Sequence, residues 1–224
     1  MSTETLEQPI KKQSEAFFSK RRKRIVSDPL NDDNPVTIQV LGICSALAIT
    51  IKMEPTLIMS IAVIFVIVFA NLIISLLRNL IPSRVRIIVQ LAVVATLVTL
   101  VSEVLKAYNY EMYKVLGAFV GLIITNCIVM GRLEAFAMGN KPYDSVLDGL
   151  GSGLGYSWII LAVAFFRELF GSGSLFDVKI YDGIASMTGF QLQTNGLMVD
   201  SIGAFMVLGI IIWVQRSKTG YVEH

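Results

Sequence analysis

From residue 56 to residue 77 the chain runs without a single charged side chain. That matches the roughly 20 apolar residues an α-helix needs to cross the hydrocarbon core of a bilayer. In lipid every backbone N–H and C=O must be satisfied internally, so the segment can be a helix but not an isolated strand or a loop. Five further apolar runs occupy about residues 36–51, 87–105, 115–130, 149–166 and 202–214. Together they predict an all-α integral membrane protein with six transmembrane helices. Composition agrees: 54% of residues are hydrophobic and only 16% charged, against about a quarter charged in a soluble domain.

The polar segments set the orientation. Residues 1–34 form a basic tail with Lys11-Lys12 and the block Lys20-Arg21-Arg22-Lys23-Arg24. Such a block can contact nucleic acid or lipid, but before a membrane domain it reads as a cytoplasmic anchor. No nucleic-acid partner is expected. No cleavable signal pattern precedes the first apolar run. With the N-terminus inside, the inner segments carry fourteen Lys and Arg and the outer ones five, a clear positive-inside bias. Both termini are therefore expected in the cytoplasm of a bacterial inner membrane protein, with residues 35–218 as the membrane domain and 219–224 as a short tail.

The six runs divide into two sets of three, about 35–110 and 111–218. The first run of each set is short and contains one of the two cysteines, Cys44 or Cys127. The second run of each set ends alike: Arg78-Asn79-Leu80-Ile81-Pro82-Ser83 against Arg167-Glu168-Leu169-Phe170-Gly171-Ser172. Three spans per set is an odd number, so the second set enters from the opposite side. The expected architecture is two inverted three-helix repeats, the first helix of each broken at its cysteine. Interrupted spans in matching positions point to a site near the midplane.

Each cysteine has polar or small neighbours inside an oily run: Gly42 and Ser45 beside Cys44, Thr125 and Asn126 beside Cys127. A cysteine in a membrane helix is commonly a packing residue. A disulfide at this depth is disfavoured, and one His with two Cys excludes a zinc finger or a secreted disulfide framework. The sharper reading is a metal site. A thiolate is costly in hydrocarbon, and the free amides of a broken helix offset that cost. Iron–sulfur clusters need four ligands, so two more would come from another subunit or a second copy.

The cysteine contexts, Val40-Leu41-Gly42-Ile43-Cys44-Ser45-Ala46-Leu47-Ala48 and Leu122-Ile123-Ile124-Thr125-Asn126-Cys127-Ile128-Val129-Met130-Gly131-Arg132, resemble the D subunits of bacterial Na⁺-translocating NADH:quinone oxidoreductases. So do Glu134-Ala135-Phe136-Ala137, Phe166-Arg167-Glu168-Leu169-Phe170-Gly171-Ser172-Gly173, the 78–90 loop and Leu105-Lys106-Ala107-Tyr108. The similarity spans about residues 30–215. The E subunit of the related Rnf complex is nearly as similar around Cys127. The resemblance implies that Cys44 and Cys127 ligate a [2Fe-2S] cluster shared with a homologous E-type subunit of opposite topology, which supplies two further cysteines. It implies a subunit that relays electrons within a complex passing them from NADH to ubiquinone while exporting Na⁺, and that is not catalytic alone. FAD, FMN and riboflavin would sit elsewhere in the complex, among its other membrane and flavin subunits. Residues 149–155 open a membrane span and read as close helix packing or a flexible lead-in rather than a nucleotide loop.

Carboxylates near apolar runs are functional candidates. Asp148, at the start of the fifth run, and Glu103, near the end of the third, are candidates for a Na⁺ path, since a hard cation takes oxygen ligands; the alternative is that both are interfacial and solvated. Arg132 with Glu134, and Arg167 with Glu168, are expected to form local ion pairs. Asn126 would bond a cluster sulfur or satisfy a broken backbone. Competing readings are an E-type Rnf subunit, an inverted-repeat secondary transporter, and a scaffold whose cysteines only pack.

Overall fold

The computed structural model describes residues 25–30, 34–82, 84–108, 110–171, 174–175, 178–179 and 200–219. The basic block at Lys20–Arg24, most of the loop between the last two apolar runs and the C-terminal tail lie outside the described residues. After a 3-10 turn at Asp28–Leu30 come α1 (Ile43–Ile49), α2 (Met53–Leu77), α3 (Arg86–Tyr108), α4 (Tyr110–Ile124) and α5 (Cys127–Arg132). A π-helical turn, Leu133–Ala137, extends α5, and α6 (Pro142–Gly171) and α7 (Ser201–Thr219) follow. Among the described residues, the one departure from all-helical structure is a two-residue antiparallel pairing, β1 (Ser174–Leu175) with β2 (Val178–Lys179).

Four stretches are long and apolar enough to cross a membrane: Met53–Leu77, Arg86–Tyr108, Phe119–Ala137 and Pro142–Gly171. The most apolar is Met53–Leu77, with mean hydropathy 3.0. The sequence predicts six. The first run, 36–51, is helical only over Ile43–Ile49, about 10 Å of rise, far short of a 30 Å hydrocarbon core. The last, Ser201–Ser217, is a shorter apolar helix. The chain is therefore a multi-pass helical membrane protein built around long spans and short helical pieces.

The centre of the fold is α2 packed along α6. Residues 56–77 offer no charge, and Pro55 sits in the first turn of α2, where its missing N–H is not needed. Helix α6 begins at Pro142, well before the apolar run that marks it in the sequence. The glycine run is thus inside the helix. Gly149 and Gly153 lie against α2: a Cβ at Gly149 would fall 2.9 Å from Asn71 Nδ2, and one at Gly153 3.1 Å from Ile64 Cγ1. Gly151 and Gly155 face the opposite way, against backbone of residues 25–29. Two small-xxx-small faces on one helix let backbone approach from both sides, the van der Waals packing that holds membrane helices together. The glycine run is close packing, not a flexible lead-in. Along the core, Val63, Val66, Ile67, Ala70 and Ile74 of α2 and Ile160, Val163 and Ala164 of α6 are fully or almost fully buried.

Candidate functional site: two helix interruptions and their cysteines

The first interruption precedes α1. Asn34 is buried and organises it: its Oδ1 accepts from Val36 N at 3.0 Å and Thr37 N at 3.4 Å, while its Nδ2 donates to Gly155 O at 3.2 Å. The chain then passes through Val40 at φ +59° and Gly42 at φ +82°. Left-handed backbone at a β-branched residue is strained. At Gly42 no side chain would fit, since a Cβ would lie 2.9 Å from the Tyr156 ring. Cys44 follows in the first turn of α1.

The second interruption separates α4 from α5. Asn126 N donates to Ile123 O at 3.2 Å, closing a turn. Asn126 then caps α5, its Oδ1 accepting from Ile128 N at 3.3 Å, the usual role of Asn at a helix start. Cys127 is the first residue of α5. Asn126 thus satisfies a broken backbone, one of the two roles expected of it.

The two interruptions meet. Asn126 Nδ2 donates to Ser45 Oγ at 3.3 Å. Ser45 Oγ lies 2.8 Å from Gly42 O, to which it donates, and 2.7 Å from Tyr156 Oη. With the Ser45 proton on Gly42 O, Tyr156 is the donor to Ser45. Ser45, Asn126 and Tyr156 are all buried, so unsatisfied polar atoms here would be costly in hydrocarbon. Sequence reasoning missed Tyr156. Its signal was a phenol inside an apolar span, which must find a partner when buried.

Cys44 and Cys127 adjoin Ser45 and Asn126 in the chain, and both are free and exposed at this chain's surface. Among the described residues no group of three or more His, Cys, Asp or Glu side chains could hold a metal ion. The soft sulfur pair suits an iron–sulfur cluster by ligand type and is half the set it requires. Cys44 also lines an open pocket of about 340 Å³ with Leu47, Ala48, Ile51, Arg167, Asp200 and Ser201.

The other expected site residues are placed elsewhere. Asp148 is buried and accepts a bidentate pair of hydrogen bonds from Arg132, with Nε at 3.0 Å. Glu134 pairs with Arg86 and accepts from Gln90 Nε2 at 3.0 Å. Arg132 therefore bonds across to α6 rather than to Glu134 beside it in the chain. Glu103 lies on the exposed side of α3, its carboxylate 4.0 Å from Lys106 Nζ, so the structure does not bring it together with Asp148. Arg167 and Glu168 also act across the chain. Arg167 reaches Leu47 O and Thr50 Oγ1, and Glu168 Oε2 accepts from Met53 N at 2.6 Å.

The family model described as Rnf-Nqr subunit, membrane protein, matches residues 22–212, which include both interruptions. The chain belongs to the Rnf-Nqr family. Among its Rnf-Nqr relatives is the D subunit of the Na(+)-translocating NADH-quinone reductase of Pasteurella multocida, 52% identical over 206 residues, 92% of this chain and 98% of that one. The protein of the same name from Proteus mirabilis is 53% identical over the same shares. That from Shewanella denitrificans is 54% identical over 198 residues, 88% of this chain and 93% of its own.

Proposed function

We propose that this chain is the D-type membrane subunit of a Na⁺-translocating NADH:ubiquinone oxidoreductase. In this reading Cys44 and Cys127 are its half of a [2Fe-2S] site, completed by two cysteines of a homologous E-type subunit of opposite topology. The observation that carries it is the junction of the two interruptions, where Ser45 and Asn126 join the segments bearing the two thiols and leave both thiols at the surface. A pair of packing cysteines would need neither the buried polar network nor the exposure.

When bound, the cluster supplies one-electron transfer at membrane depth. The chain's own residues do the rest. Asn126 caps α5, Ser45 and Tyr156 satisfy the turn before α1, and the tight Gly42 turn sets where Cys44 emerges. The subunit is not catalytic alone; FAD, FMN and riboflavin belong to other parts of the complex. Both interrupted segments are followed by a long helix with an arginine at or near its end, Arg78 or Arg167, which supports two inverted three-helix repeats. The excess of Lys and Arg on one side supports a bacterial inner membrane with both termini cytoplasmic.

Within this reading Asp148 and Glu103 are the carboxylates offered to a Na⁺ path. Asp148 could serve only with its Arg132 pair opened, whereas Glu103 is exposed. The deciding experiment is to purify the complex with Cys44→Ala or Cys127→Ala and measure iron content and the electron paramagnetic resonance signal. The expected result is loss of one [2Fe-2S] centre together with quinone reduction. Full iron and an unchanged signal would reject the proposal.

A further inference from the structure

Helix α1 has seven residues, too few to hold itself as a helix in isolation, and its last carbonyls have no partner within the helix. Thr50 Oγ1 and Thr56 Oγ1 donate to Ala46 O and Ile49 O, and Arg167, near the end of α6 and 2% exposed, donates to a third, Leu47 O. Its Nη1 donates to Leu47 O at 3.2 Å and Thr50 Oγ1 at 2.8 Å, and its Nη2 donates to Asp200 O at 3.2 Å. Leu47 lies three residues after Cys44, one turn along the same side of a helix. Arg167 and Cys44 also line the same pocket. A buried guanidinium is costly to desolvate unless its donors are met, and these acceptors meet both terminal nitrogens of Arg167.

We infer that Arg167 is a positioning residue for Cys44, fixing the end of the cysteine's helix and holding a buried positive charge in the pocket that Cys44 lines. The inference rests on the proposed cluster. Cluster reduction adds one negative charge, which a nearby fixed cation favours. Net charge and surrounding hydrogen bonds are among the factors that set cluster potentials. The planar fork that reaches Leu47, Thr50 and Asp200 at once is a geometry lysine cannot reproduce.

Arg78 provides the internal control. It ends α2 as Arg167 approaches the end of α6, and its Nη1 donates to Asn140 O at 2.7 Å, an acceptor shared with Ser75 Oγ at 2.8 Å. Asn140 closes the segment that begins at Cys127, so each arginine holds the carbonyl end of the other half's cysteine segment. Asn140, however, is several helical turns from Cys127, whereas Leu47 is one turn from Cys44. Charge removal at Arg78 should therefore not reach the cluster.

The test is a redox titration of the purified complex followed by electron paramagnetic resonance, with iron quantified in parallel. Arg167→Gln should retain iron and lower the ratio of reduced to oxidised cluster about tenfold at fixed potential, or about 59 mV for a one-electron couple. Arg167→Lys should restore part of the shift, and Arg78→Gln should show none. An unchanged potential in iron-replete Arg167→Gln, or an equal shift in Arg78→Gln, overturns the inference. If Arg167→Gln loses iron or fails to assemble, Asp200→Asn decides. It keeps a good helix cap while removing the exposed negative charge lining the same pocket, so the potential should rise, and no change would overturn the inference. Retention of full iron in Cys44→Ala would instead sink the cluster itself, whatever Arg167 does.

Discussion

Asn126 Nδ2 donates to Ser45 Oγ at 3.3 Å, joining the chain neighbours of two cysteines that lie 83 positions apart. This bond couples the two helix interruptions, and most of what can be tested about the site follows from the residues around it.

The turn before Cys44 should not accept a side chain. Gly42 has φ +82°, and a Cβ there would press against the Tyr156 ring at 2.9 Å. Left-handed backbone alone costs an L-residue about 1–2 kcal/mol, and the ring must also shift. Gly42→Ala should lower the thermal midpoint of the purified complex by several degrees and, on the proposed ligation by Cys44, reduce its iron content. A wild-type melting curve with full iron would mean that this turn does not position Cys44.

Tyr156 and Asn126 should separate in their effects. Tyr156→Phe removes one hydroxyl from Ser45 and keeps the ring, a loss of about 1 kcal/mol or less for a hydrogen bond within a membrane. Asn126→Ala removes both the cap on Ile128 N and the bond to Ser45. Caps contribute about 1 kcal/mol by themselves, so this variant should be roughly twice as destabilising. The double variant should cost less than the sum, because the two residues share Ser45 as a partner. Strict additivity in the melting data would show that the network does not act as a unit.

Much of this site was legible in the sequence because an unsatisfied polar atom is costly in hydrocarbon. Gly42, Ser45 and Asn126 within oily runs could only mean a turn, a cap or a ligand. What stayed hidden was the choice of partner. Asp148 was visible as a costly carboxylate, but that Arg132 would meet it across two helices, leaving Glu134 to Arg86, depends on tertiary packing. Tyr156 meets Ser45 across 111 positions, and no local pattern announces that. The helical state of the glycine run in α6 was hidden for a related reason. Glycine disfavours helix by local propensity, yet in Gly149 and Gly153 it is what lets α2 come close. The first apolar run looked like a short span because hydropathy does not register a backbone turned by Asn34, Val40 and Gly42.

That packing predicts a split among the glycines. Gly149→Ala must displace Asn71, whose amide donates to Ser145 O at 3.0 Å, and Gly155→Ala collides with the backbone carbonyl of Pro29. Both should be destabilising, the second more so because backbone cannot swing aside. Gly209 in α7 has nothing within 4 Å of its would-be Cβ. Gly209→Ala should be neutral or stabilising by up to about 1 kcal/mol through helix propensity. Equal melting temperatures for all three variants would contradict the packing described.

The Arg132–Asp148 pair yields the prediction that bears most directly on sodium. The Asp148 side chain is 2% exposed and that of Arg132 13%, so neutralising one partner strands the other's charge. Breaking a buried pair costs about 3–5 kcal/mol, whereas replacing both partners can be nearly neutral. Asp148→Asn should therefore destabilise strongly, and Arg132→Gln added to it should recover most of the loss. The double variant then separates structure from transport. If Asp148 serves only to neutralise Arg132, the restabilised double variant should show normal Na⁺ stimulation of turnover. If its carboxylate contributes oxygen ligands to a passing cation, stability should return while the Na⁺ response stays weak. Na⁺ dependence of quinone reduction, measured beside the melting curve for wild type, Asp148→Asn and the double variant, distinguishes the two roles.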